Sequence, residues 1–142
     1  MEPAFWDSSS LVPLCVNQKA SPLTERLSLQ YSKVVWWAAS VEIRGAFSRL
    51  MRMGLLTANE VVGAQVRLGE LRSNWHEILP AAALRDRAER LVDRFPLKAA
   101  DALQLAAALA WTSHRPRRRA FVSGDAQLLA AADEMGFLAV KG

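Results

Sequence analysis

The chain has 142 residues, 51% hydrophobic and 23% charged, with a formal net charge of +4 and a single cysteine. That apolar fraction excludes a disordered chain, and one thiol excludes a disulfide scaffold. No apolar stretch approaches the roughly 20 residues of a membrane span. The length suits one domain spanning 1–142, and the excess of Lys and Arg points to a polyanion partner. The lone thiol, and a start (MEPAFWDSSSL) without the basic and long apolar parts of a secretory signal, lead us to expect a cytoplasmic protein.

The predicted elements alternate between short apolar runs and helical segments. Pro3 to Trp6 reads as a buried strand closed by Asp7, with Ser8, Ser9 and Ser10 as capping hydroxyls before a short helix from Leu11 to Val16. Ser21 before Pro22 marks the next helix start, and Leu23, Leu27 and Tyr31 follow at helical spacing. Val34 to Trp37 is β-branched and aromatic, a second strand. Ala39 to about Met53 is a helix with Val41, Phe47 and Leu50 as apolar positions, stopped by Gly54. Thr57 and Glu60 form a capping-box pattern at the head of another helix. Trp75 to Leu79 is a third strand, ended by Pro80. Helices over Ala82–Phe95 and Lys98–Trp111 follow. Ala120–Ser123 is a fourth strand, Ala126–Met135 a helix stopped by Gly136, and Phe137–Val140 a last strand. Strands alternating with helices predict an α/β fold with a parallel sheet covered on both faces.

In such sheets ligands bind beyond the carboxyl ends of the strands. Asp7 closes the first strand there, Glu42 follows the second, and Asp125 lies just past the fourth. Asp101 stands early in the alanine-rich helix that feeds the fourth strand. Singly, each acid has a structural role open to it, such as capping a helix or meeting a helix dipole. Together they form a convergent cluster, and clustered like charges imply cations. Oxygen ligands without a cysteine or histidine cluster favour a hard ion, Mg²⁺ or Mn²⁺, in an arrangement suited to phosphodiester hydrolysis.

Four segments carry a family resemblance: Phe5–Val12, Ser40-Val41-Glu42, Leu97–Ala108, and Phe121–Asp125 with Leu128 and Ala131. In this order they resemble the PIN-domain ribonucleases, most closely the VapC-type toxins of bacterial toxin–antitoxin pairs. The resemblance covers essentially the whole chain, and Leu97–Ala108 is its most specific part. It implies a three-layer α/β/α fold with a central parallel sheet of four to five strands. It implies that Asp7, Glu42, Asp101 and Asp125 hold Mg²⁺ or Mn²⁺, supported by the hydroxyls of Ser9 and Ser123. It implies an endoribonuclease that leaves a 5′-phosphate and a 3′-hydroxyl, an antitoxin protein as partner, and a homodimer. Gln104 departs from the family by standing where many relatives have a histidine; being outside the acidic set, it leaves the catalytic expectation intact.

The basic residues divide into two groups. Arg44, Arg49 and Arg52 follow Glu42, and Lys98 is close to Asp101; these are placed to meet RNA phosphates near the acids. His114 to Arg119 (HRPRRR) is the sharpest charge run, but it enters the fourth strand at its amino end, away from the acids. Single-stranded or loop RNA is the expected substrate form, because its bases can be splayed and stacked. The apolar segments Leu23–Tyr31 and Val41–Leu56 are candidates for partner contacts. Two rival readings exist. A haloacid-dehalogenase-type phosphohydrolase also has a strand ending in aspartate, but it wants a second Asp where this chain has Ser9. A non-catalytic RNA- or protein-binding module would not need to bear the repulsion of four acids.

Overall fold

The computed structural model describes residues 1–16 and 21–142. In chain order the elements are β1 (Glu2–Trp6), α1 (Ser8–Cys15), α2 (Pro22–Gln30), β2 (Tyr31–Trp36), α3 (Ala39–Arg52), α4 (Ala58–Arg72), β3 (His76–Ile78), α5 (Ala82–Arg94), α6 (Ala99–Trp111), β4 (Ala120–Ser123), α7 (Ala126–Glu134) and β5 (Leu138–Lys141). The five strands form one parallel sheet in the order β3-β2-β1-β4-β5. Successive strand side chains point to opposite faces. Phe5, Val34, Trp36 and Phe121 therefore pack with α5, α6 and α7. Ala4, Trp6, Val35, Ala120 and Val122 pack with α1 to α4. Burial on both faces is why the strands read as unbroken apolar runs, and the result is the expected three-layer α/β/α arrangement.

Local signals act as expected at several element ends. The Ser21 hydroxyl accepts from the Thr24 amide at 3.1 Å. Thr57 and Glu60 close a reciprocal capping box at 3.1 and 2.9 Å. Gly54 (φ +75°) and Gly136 (φ +105°) end α3 and α7 in the left-handed region that glycine adopts without a Cβ clash.

Three expectations are corrected. Tyr31 is not helical: it is the first residue of β2, paired with Glu2, while its amide still bonds to the Leu27 carbonyl. Helix and strand thus join without a loop. Ser8, Ser9 and Ser10 are not caps but the first turn of α1. Val41 is exposed, and Ile43, Ala46 and Phe47 form the buried stripe of α3 instead.

The chain lays β1, β2 and β3 outward in one direction, then returns to place β4 on the other side of β1. The order therefore reverses between β1 and β4. Loops leave this point in opposite directions and open a crevice at the carboxyl ends of the two strands. Among the described residues no helix is long and apolar enough to cross a membrane.

Candidate active site

The crevice at that reversal is a cavity of about 620 Å³, and Asp7, Glu42, Asp101 and Asp125 all line it. Four elements deliver them: the end of β1, the first turn of α3, the start of α6 and the cap of α7. Ser8, Ser9 and Arg49 share the lining, and Val12, Pro13, Ala46 and Leu50 add an apolar wall from α1 and α3.

Asp7 is held where β1 meets β4. Its amide donates to the Val122 carbonyl at 2.9 Å, and the Ser10 hydroxyl donates to its own carbonyl at 2.5 Å. It stands at the cap position of α1, yet its side chain does not cap that helix. The carboxylate turns to two hydroxyls: Ser9 donates to Oδ2, and Ser123 donates to the same oxygen at 2.8 Å. Burial pushes the Asp7 carboxyl above its ordinary value, against the lowering effect of those bonds. Both serines are fixed in turn, since Ser9 accepts from the Gly124 amide at 3.1 Å and Ser123 from the Asp125 amide at 3.0 Å.

Glu42 is oriented by a second pair. Ser8 and Gln104 each donate to Oε1 at 2.7 Å, and Gln104 also donates to the Ser8 hydroxyl at 2.8 Å. Burial raises the Glu42 carboxyl, and the Asp7 charge adds to the rise. Ser8 and Gln104 were not among the candidate residues of the sequence. Three adjacent serines on one helical turn serve different groups, Ser8 the Glu42 carboxylate, Ser9 the Asp7 carboxylate and Ser10 the Asp7 and Val122 carbonyls, which a capping pattern does not announce. Gln104, which is not one of the acids, is wired directly into the acidic set through Glu42.

Asp101 has its carboxyl raised to about 6, first by burial and then by repulsion from Asp7, Asp125 and Glu42, partly relieved by Lys98. Asp125 has two roles: it lines the cavity, and its Oδ1 accepts from the Gln127 and Leu128 amides at 2.9 and 3.1 Å, capping α7. Of the four basic candidates, Arg49 lines the cavity, Lys98 bears electrostatically on Asp101, and Arg44 and Arg52 are exposed outside the lining. Neither histidine lines the cavity, and the Cys15 thiol is buried elsewhere and pushed up to about 11.

The donor set is all oxygen and heavily anionic, which fits a hard divalent cation. Among the described residues, however, no three Asp, Glu, His or Cys side chains are gathered around one point as a ready-made coordination shell. Mg²⁺ does not require one: it keeps several waters and is held by one or two carboxylates. The residues present fit an ion held in that partly hydrated way.

No family model matches the sequence. No curated protein matches it either. Solved structures do match. The crystal structure of PAE2754 from Pyrobaculum aerophilum aligns over 99% of this chain and 89% of its own, with a TM-score of 0.69 and 16% identity. A chain from a toxin–antitoxin complex from Klebsiella pneumoniae aligns over 89% of this chain and 90% of its own, with a TM-score of 0.61 and 16% identity. At that identity the likeness establishes a shared fold, the three-layer α/β arrangement described above.

Proposed function

We propose that the chain is a metal-dependent endoribonuclease of the PIN type, acting as the toxin of a toxin–antitoxin pair. One observation carries the reading: four carboxylates from separate segments line one crevice where the strand order reverses. Asp101 is raised to about 6 by burial and its three neighbours, a cost that a structural role leaves without purpose. The fold shared with a chain of a toxin–antitoxin complex supports the biological side of the proposal.

Asp7, Asp101, Asp125 and Glu42 would hold Mg²⁺ or Mn²⁺, directly or through water. When bound, the ion supplies a water of lowered pKa and neutralises charge on the phosphodiester. Ser9 and Ser123 fix the Asp7 carboxylate, and Ser8 and Gln104 fix that of Glu42, so the acids are oriented before substrate arrives. Arg49 stands at the rim to take an RNA phosphate, and the wall of Val12, Pro13, Ala46 and Leu50 accepts the sugar and base. A cognate antitoxin would cover this crevice. The exposed side chains of Val41, Met51, Met53 and Leu55 offer an apolar surface for a second copy.

The test is cleavage of end-labelled single-stranded RNA by the purified chain. Mg²⁺ or Mn²⁺ should support cleavage with 5′-phosphate products, and EDTA, Asp7→Asn or Asp101→Asn should abolish it. Undiminished cleavage in EDTA overturns the metal dependence. No cleavage with either ion, and no thermal stabilisation by them, overturns the enzyme. Growth arrest on expression, relieved by the product of a neighbouring reading frame, tests the toxin role.

A further inference from the structure

The basic run His114–Arg119 takes no part in the crevice. It lies at the amino end of β4, and Asp101 and Trp111 are ten residues apart on α6, about 15 Å along its axis. We propose that this loop is a second, remote binding site that anchors single-stranded RNA.

Three observations carry it. First, a cavity of about 350 Å³ is lined by Trp111, Thr112, Ser113, Arg115, Arg117 and Arg119, with no acidic side chain among them. Second, those guanidiniums have no acidic partner among the described residues. Among the described residues the one ion pair is Arg94–Glu134, remote from this cavity's lining. Arg119 is exposed and lies over the Trp111 ring at 5.0 Å from its centroid, which sets a cation and an aromatic ring side by side, the two groups on which bases stack. Third, the loop backbone has a defined, hydrogen-bonded shape. Ser113, His114, Arg117 and Arg118 all adopt left-handed backbone angles, with φ of 52°, 62°, 46° and 58°. Backbone bonds hold them there: His114 to Leu109 at 2.8 Å, Arg118 to Gly136 at 2.9 Å and Arg119 to Pro116 at 2.8 Å, around a buried Pro116.

Charges at the carboxyl end of α6 also favour that helix through its dipole. One or two cations would satisfy that role, and it does not call for a cavity. Several converging guanidiniums beside an aromatic ring match a chain of phosphates with bases attached. From the proposed function the inference takes only the ligand class, single-stranded RNA.

The test is fluorescence anisotropy with a labelled single-stranded RNA of about 20 nucleotides, in EDTA, with strand integrity checked on a gel. The combined variant Arg115→Gln, Arg117→Gln and Arg119→Gln should bind about tenfold or more weakly at low salt. Its slope of log affinity against log salt should fall by up to about 2, at about 0.7 per lost phosphate contact. A control that removes the same charge elsewhere, Arg26→Gln, Arg72→Gln and Arg90→Gln, should bind nearly as wild type. Arg119→Lys keeps the charge but not the plane, and should weaken binding with an unchanged salt slope. Equal loss in the loop variant and the control, or no loss in either, overturns the anchor. Melting temperature confirms that each variant folds. Because binding is read without metal, failure of cleavage and failure of the anchor are separate results.

Discussion

The side-chain amide of Gln104 lies 2.7 Å from the Glu42 carboxylate, joining the middle of α6 to the first turn of α3. Gln104 is 1% exposed, and it also donates to Ser8, which donates to the same Glu42 oxygen. Its own Oε1 has no hydrogen-bond partner among the described residues. The amide is therefore committed through its donors alone, and its acceptor is buried at a cost. What Gln104 contributes therefore lies in the two bonds that it donates.

Gln104→Leu follows from that asymmetry. It removes two donated bonds but also an orphaned acceptor of similar volume, so stability in urea should change by less than about 1.5 kcal/mol. Cleavage should fall about tenfold or more, because Glu42 loses a partner that both aims it and favours its ionised form. Loss of stability in proportion to loss of activity would mean that Gln104 is core and nothing more.

The two serines on Asp7 should separate by burial. Ser123 is fully buried and serves both the Asp7 carboxylate and the Asp125 amide. Ser123→Ala leaves both groups short of a partner and should cost about 1–3 kcal/mol. Ser9 is exposed, so water can replace it, and Ser9→Ala should cost less. In both variants the acid side of the pH–activity profile should move to higher pH, since each hydroxyl lowers the Asp7 carboxyl. An unmoved profile in both would remove the serines from the site.

The layered fold was legible because its signals are local. Apolar strand runs, the Ser21 and Thr57 caps and the stops at Gly54 and Gly136 each act within a few residues. The meeting of Asp7, Glu42 and Asp125 was legible because the carboxyl-end rule converts topology into position, and the strand order puts the reversal beside Asp7 and Asp125, while Asp101 was legible only as an acid at the start of a helix that could reach the same edge. What escaped depends on distant partners. Tyr31 completes a helical spacing with Leu23 and Leu27, but pairing with Glu2 takes it into the sheet. Val41 lost its place to Ile43 because the face of α3 is set by its neighbours. Ser8 and Gln104 are 96 residues apart, and nothing in either segment points to the other. Asp125 could be read either as a cap or as a site residue, and it both caps α7 and lines the crevice.

The raised carboxyls set a pH dependence. Asp101, near 6 in the folded chain against an ordinary 3.8, binds more protons folded than unfolded between about pH 4 and 6. Stability of the metal-free chain should therefore fall as pH rises through that window, and the raised Asp7 and Glu42 act in the same direction. Mg²⁺ competes with those protons, so its thermal stabilisation should be small near pH 5 and larger at pH 7. Melting curves at fixed ionic strength, with and without Mg²⁺, measure both trends. Asp101→Asn should flatten the metal-free trend; a curve that overlays the wild type would show that Asp101 titrates normally.

Asp125 allows its two roles to be parted. Removing its charge relieves repulsion on Asp101, while removing its cap frees the Gln127 and Leu128 amides. Asp125→Ser keeps a capping oxygen and loses the charge; Asp125→Ala loses both. The relief of repulsion is common to the two variants, so their difference reports the cap alone, and Asp125→Ala should be less stable by about 1 kcal/mol. Cleavage should be lost equally in both, because neither offers a carboxylate. If Asp125→Ser cleaves RNA as wild type while Asp125→Ala does not, the residue serves the site only by holding α7 in place, and the working acids are Asp7, Glu42 and Asp101.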